Sequence, residues 1–372
     1  MMFQPKARPE IYPLTGIRAL AALWVLLFHL QGKINTALPQ LYGLFKPVIL
    51  NGYLGVDLFF ILSGFIISYN YADRFSHFTL SKYWDFLWMR LARLWPVHFV
   101  ILALYAALLL RAFHSGISPQ HPELYSLGRL IQNFCLIQAW SIPIHESWNV
   151  PAWSISCEWA AYLLFPAIIL SKAVTRSSCL TITTGGLAIL TMASFLQSVH
   201  ANGNNQYGLI RIAGEFVAGC SLCHLFHSQV GRNWNWNLLI PISGVVTILL
   251  LGFVLPSFSL VPYWCVPFLA LIIFGLAYHQ CAYSRLLSTR LFLFGGHISY
   301  SLYMVHTLCF IILKKNFPNL EARPMSFVVD LLFAITIAAA MYYFVEEPCR
   351  KKMRKFGLLP RLPGKSPDAA AR

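Results

Sequence analysis

Ten apolar stretches punctuate the chain, near residues 14–31, 51–70, 94–113, 151–171, 178–198, 207–227, 237–255, 260–279, 296–314 and 326–345. Each is about as long as a bilayer crossing, which takes roughly 20 residues. The pattern predicts an all-α polytopic membrane protein with about ten transmembrane helices. Pro256 and Pro262 interrupt the seventh and eighth stretches, which can be read as one broken unit. A single integral-membrane domain is expected over residues 1–355, and the segment 356–372, rich in Pro, Ala and basic residues, is expected to be a disordered tail.

Composition sharpens this picture. Hydrophobic residues make up 58% of the chain and charged ones 11%, where a soluble domain carries roughly a quarter charged. Lys6, Arg8, Arg74, Lys82, Arg90, Arg93, Lys172, Arg176, Arg232, Arg285, Arg290 and the run Arg350-Lys351-Lys352 all fall on one side of an even number of spans. The other side carries mainly Lys33, Lys46, Arg129 and Arg323, with Arg111, Arg211, Lys314 and Lys315 near helix ends. The positive-inside bias therefore predicts both termini in the cytoplasm. Arg18 interrupts the first apolar stretch and no small-residue cleavage site follows it, so that helix is expected to stay. The net charge of +15 belongs to helix ends facing anionic membrane lipid, which argues against a nucleic-acid partner.

Nine cysteines are scattered without a disulfide framework. Cys220-Ser-Leu-Cys223-His224 has the spacing of a c-type haem attachment site, but it falls in the cytoplasmic half of the sixth span, the wrong side for it. The cysteines read instead as small apolar residues. No metal site is expected.

Against this apolar background the ionisable residues stand out. Arg18 and His29 are eleven apart, which puts them on one helical face about 16 Å from each other. Asp57 in the second span, and Ser154 with Glu158 one turn apart in the fourth, fall at depths near that of His29. His29, Asp57 and Glu158 are thus expected to meet at a proton-transfer centre. Arg90 and Arg93 share a face in the loop before the third span and suit phosphate recognition. Ser299, Tyr303 and His306 lie on one face of the ninth span and are expected, with Ser154, to form a supporting wall. Glu346-Glu347-Pro348 reads as a polar helix terminus at the interface, and Gly64 with Ser68 as a small-residue pair for close packing.

Together these residues resemble the acyltransferase 3 family of integral-membrane acyltransferases, whose bacterial members modify surface polysaccharides such as O-antigen and Nod factors. The resemblance spans about residues 12–355. Arg18 and His29 match the family's Arg/Lys-x10-His motif, and Gly55-Val-Asp57-Leu-Phe-Phe-Ile-Leu-Ser-Gly64-Phe its second-helix signature. Arg90-Leu-Ala-Arg93, Trp153-Ser154 with Glu158 and Tyr162, and Ile298-Ser-Tyr-Ser-Leu-Tyr303 with His306 match three further elements. The first helix departs from the family's usual opening, having Thr15 where a carboxylate is common; Thr15 is expected to cap that helix. The chain ends before the soluble hydrolase-like domain of many relatives, so a stand-alone membrane module is expected, with any second transfer step left to another protein.

The resemblance implies a bacterial inner-membrane O-acyltransferase with no permanently bound cofactor. Its donor would be cytoplasmic acyl-CoA, acetyl-CoA above all, and its acceptor a carbohydrate or lipid-linked glycan hydroxyl. Arg18, Arg90 and Arg93 would hold the CoA phosphates. His29 would act as general base or transient acyl carrier, with Glu158 or Asp57 orienting it. Acceptor recognition would come from the loops 32–50 and 114–149. The rival readings are a proton-coupled transporter of a small anionic solute, with the same residues as a relay, and a non-catalytic sensor or scaffold.

Overall fold

The computed structural model describes residues 8–116, 121–141, 147–171, 178–200, 207–321 and 323–356. The expected tail from 357 onward lies outside them. Ten apolar helices form the bundle: α1 Tyr12–His29, α2 Leu54–Tyr71, α3 Leu80–His114, α4 Trp153–Leu170, α5 Ser178–Ser198, α6 Gly208–His227, α7 Trp236–Leu249, α8 Val266–Ala277, α9 Arg290–Asn316 and α10 Ser326–Met341. Among the described residues nine helical stretches are long and apolar enough to cross a membrane; the shorter Pro262–Ala277 is the tenth apolar rod. The break between α7 and α8 arises where a π-helical turn, Leu250–Val254, meets Pro256 and Pro262.

Successive helices run antiparallel, so the bundle has two distinct ends. Arg8 reaches both Asp73 after α2 and His227 at the end of α6, while Trp88 in α3 donates to the Met353 carbonyl (2.8 Å). These contacts define the Arg8 end. At the opposite, His29 end, the short helices Gln31–Ala37 and Pro39–Leu50 cover the rods, pinned by Trp24 donating to the Val48 carbonyl (2.7 Å).

Three boundaries differ from expectation, each for a local reason. Helix α3 starts at Leu80, capped by Thr79 accepting from the Lys82 amide (3.3 Å), so Arg90 and Arg93 lie within a 35-residue helix and not in a loop. Helix α1 starts at Tyr12 with Pro13 in its first turn, which leaves Thr15 inside the helix. Its hydroxyl donates to Glu10 (2.6 Å) and does not cap. At the last span a π turn over Tyr342–Glu346 rotates Glu346 inward, where it is buried against Arg93 and Ser301. The expected interfacial terminus is therefore Glu347 alone, paired with Arg350 and Lys351.

Helices α2 and α6 pack closely. A Cβ on Gly64 would lie 2.1 Å from the Phe216 carbonyl oxygen, and one on Gly219 2.1 Å from that of Ile61, so both backbones meet where only hydrogen fits. Ser68, one turn on, is also buried. Gly219→Val is expected to lower the melting temperature of the detergent-solubilised protein by several degrees, since overpacking costs about 1–3 kcal/mol; an unchanged melting curve in a fluorescence-detected chromatography assay would contradict this crossing.

Candidate functional site

A cavity of about 140 Å³ lies among α1, α2, α3, α4 and α9. That is room for several waters at about 30 Å³ each, or for a small acyl group and the end of its carrier. Its polar lining is Arg18, Ser63, Arg93, Ser154, Glu158 and Tyr303, with Ser299 and Tyr162 beside them. The remaining wall is aliphatic and aromatic, contributed largely by α2.

Glu158 is anchored at one oxygen. Ser63 donates to its Oε1 (2.6 Å), Tyr162 donates to the same atom, and the two hydroxyls lie 3.2 Å apart. Ser154, one turn earlier on α4, donates to the Tyr303 hydroxyl (3.0 Å) and so ties α4 to α9 across the cavity. The i, i+4 spacing of Ser154 and Glu158 is what brings both to the same wall.

The arginines divide into three kinds. Arg93 stacks on Tyr300 (5.0 Å) and is paired with Glu346. Arg90 stacks on Tyr71 (4.7 Å), donates to its hydroxyl (2.6 Å), and stands behind the cavity wall. Arg18 lines the cavity with Glu158 as its leading opposite charge, yet among the described residues no carboxylate stands within ion-pair distance of it. Arg350 lies within electrostatic reach of both Arg18 and Arg93.

His29 and Asp57 do not join Glu158. His29 is exposed at the end of α1, with its ring against Phe28 (5.1 Å) and His306 (4.9 Å). Asp57 is fully buried and accepts a bidentate pair from Arg211 of α6 (2.7 and 3.2 Å). That guanidinium is stacked between Trp153 and Tyr263, each 5.1 Å away, with Glu215 buried nearby. Similar depth did not bring the three titratable groups together, because depth leaves the rotation of each helix open. Asp57 turns toward α6, and Glu158 toward Ser63 and Tyr162.

Sequence reasoning gave no role in this region to four residues: Ser63 and Glu215, which it passed over, Arg211, which it set near a helix end, and Glu346, which it read as an interfacial terminus. Ser63 alone left a signal, lying beside Gly64 within the second-helix signature. The partners of the other three sit far away in the chain. Of the wall expected from α9, Ser299 and Tyr303 do line the cavity, and His306 lies one turn beyond, between Tyr303 and His29.

Comparison with known proteins gives the family. O-acetyltransferase OatA of Staphylococcus aureus (strain NCTC 8325 / PS 47) is 23% identical over 383 residues, covering 98% of this chain and 60% of that protein. Acyltransferase MdmB of Streptomyces mycarofaciens is 31% identical over 156 residues, 41% of this chain and 38% of that protein. The chain thus spans about three-fifths of the length of the OatA proteins it matches from end to end. No solved structure matches it. With ten apolar helices among the described residues, five of them lining the cavity, and a match over residues 11–343, the chain is a polytopic membrane protein that belongs to the family described as Acyltransferase domain.

Proposed function

We propose that this protein transfers an acyl group, acetyl above all, from cytoplasmic acyl-CoA to a hydroxyl of a cell-surface or exported carbohydrate at a bacterial inner membrane. The observation that carries this reading is the cavity itself: it is lined by Arg18, which has no ion-pair partner among the described residues, and by the Glu158 carboxylate, and Tyr303 leads from its wall to His306 and His29. The charge bias of the sequence assigns the Arg8 end to the cytoplasm. A donor phosphate would then meet Arg18 first, because Arg93 already has Glu346 as its counter-charge. Arg90 would act at one remove, through Tyr71.

From Arg18 the carrier arm runs beside Glu158, Ser154 and Tyr303, and its amide groups would find both acceptors and donors there. The distance from Arg18 to His29, about 16 Å along α1, matches an extended arm better than it matches a compact metabolite. At the far end His29 takes the proton of the acceptor hydroxyl as that oxygen attacks the thioester carbonyl. The tetrahedral adduct then expels the CoA thiolate, which recovers the proton, so an ester and free CoA result. A route through acyl-His29 uses the same unprotonated ring nitrogen, and acyl-enzyme trapped with hydroxylamine would identify it.

The test is transfer by the purified protein in vesicles supplied with labelled acetyl-CoA, together with mass spectrometry of surface glycans from cells with and without the gene. A labelled ester and its loss with the gene are expected. Protein that binds no acyl-CoA and instead moves an anionic solute across the vesicle would replace this reading with the transporter. Arg18→Ala is expected to raise the apparent Kd for the donor about 10- to 100-fold, the worth of one charge-assisted contact of about 1.5–3 kcal/mol. Unchanged donor affinity in a direct binding assay would take Arg18 out of the site. Glu158→Gln is expected to slow transfer while the protein still inserts and elutes as one species; full turnover would reduce Glu158 to a packing residue.

A further inference from the structure

His306 is buried in α9, and one of its two ring nitrogens is already committed. Nδ1 lies 2.6 Å from the Tyr303 carbonyl oxygen. A carbonyl only accepts, so Nδ1 carries the proton and Nε2 is left as the acceptor. Nε2 is buried and has no hydrogen-bond partner among the described residues. Leaving such an atom unsatisfied costs about 1–3 kcal/mol unless something uses it. The ring packed against it is that of His29, with centroids 4.9 Å apart and planes at 47°. The other aromatic rings packed against His306 are Tyr303 (5.8 Å) and Phe310 (5.7 Å), so among the described residues the titratable rings that face it are His29 and Tyr303.

The geometry points to His306 as the positioning residue of His29: its Nε2 accepts the N–H of the His29 ring, fixing the tautomer and leaving the opposite nitrogen of His29 unprotonated toward the acceptor. This inference rests on the proposed acyl transfer and gives to a neutral imidazole the task expected of Glu158 or Asp57. Those carboxylates are held elsewhere, by Ser63 with Tyr162 and by Arg211. The step balances as before. The acceptor proton moves to the free nitrogen of His29, the imidazolium shares its other proton with His306 Nε2, and the departing thiolate takes the transferred proton back. Contacts of this kind lengthen without substrate and tighten when it binds, in keeping with two rings already in contact.

The experiment compares His306→Leu, His306→Gln and His29→Ala/His306→Leu with wild type, reading kcat, donor KM and the pH profile of kcat in vesicles. His306→Leu is expected to lower kcat roughly 10- to 100-fold, part of the 10²–10⁴ a positioned base supplies, with donor KM unchanged. His306→Gln, which keeps an acceptor, should recover most of that loss. The double variant should be no slower than His29→Ala alone. Additive losses, or equal loss in Leu and Gln variants of full thermal stability, would overturn the inference. Should His306→Leu fail to fold, the Gln variant and its pH profile decide: a wild-type-like profile supports the relay, and kcat fallen as far as in His29→Ala sinks it. Wild-type protein with no transferase activity would instead count against the proposed function, which separates the two failures.

Discussion

His29→Ala is expected to reduce acyl transfer by about 10²–10⁴-fold, the range a positioned general base contributes, while leaving the amount of inserted protein unchanged. The second half of that expectation comes from where His29 stands. It is exposed at the last position of α1, and its ring meets those of Phe28 and His306, so truncation removes little packing. Donor binding should persist, because Arg18 is about 16 Å back along the helix. The measurements are single-turnover transfer from labelled acetyl-CoA and, separately, equilibrium binding of CoA to the same preparation. Retained turnover would end the assignment of His29. Lost donor binding would mean that α1 had moved as a whole.

Asp57→Ala is expected to be as damaging for another reason. It would orphan a guanidinium that is fully buried between two aromatic rings, and breaking a buried pair at one partner costs about 3–5 kcal/mol. Most of the protein should then fail to accumulate in a monodisperse form. Arg211→Met alone should do the same, leaving Asp57 beside the buried Glu215. The double variant Asp57→Leu/Arg211→Met removes both charges and is expected to recover much of the folded yield, as apolar replacements of buried pairs often do. If Asp57 serves as a fastener between α2 and α6, the recovered double variant will also transfer acyl groups. A double variant that folds and is inactive would return Asp57 to the reaction.

These two residues also mark what the sequence could convey. Hydropathy located every rod, because a bilayer-length apolar run has few alternatives, and helical spacing put Ser154 with Glu158, and Ser299 with Tyr303, on shared faces that the cavity indeed uses. Both kinds of inference stay within one helix. Whether Asp57 faces α1 or α6 depends on rotation about the axis of α2, which is decided by the Gly64–Gly219 crossing and by Arg211, a residue far along the chain. Glu346 was hidden for a related reason. A regular helix through the last span would turn it elsewhere, and only the π turn aims it at Arg93. The distant partnerships had to be seen; the local ones did not.

That π turn bears on how the molecule is made. Arg93 enters the membrane with α3, long before Glu346 has been synthesised; at about 5–20 residues per second the interval is on the order of ten seconds or more. Through that time the nascent chain holds a cation that must stay near water or lipid phosphate. Delivery of Glu346 by the final turn of the last span allows Arg93 to settle on Tyr300, closing one wall of the cavity. The site is thus sealed only once the segment after α10 has left the ribosome, and a chain interrupted before it would expose an unsealed, positively charged cleft to cellular quality control.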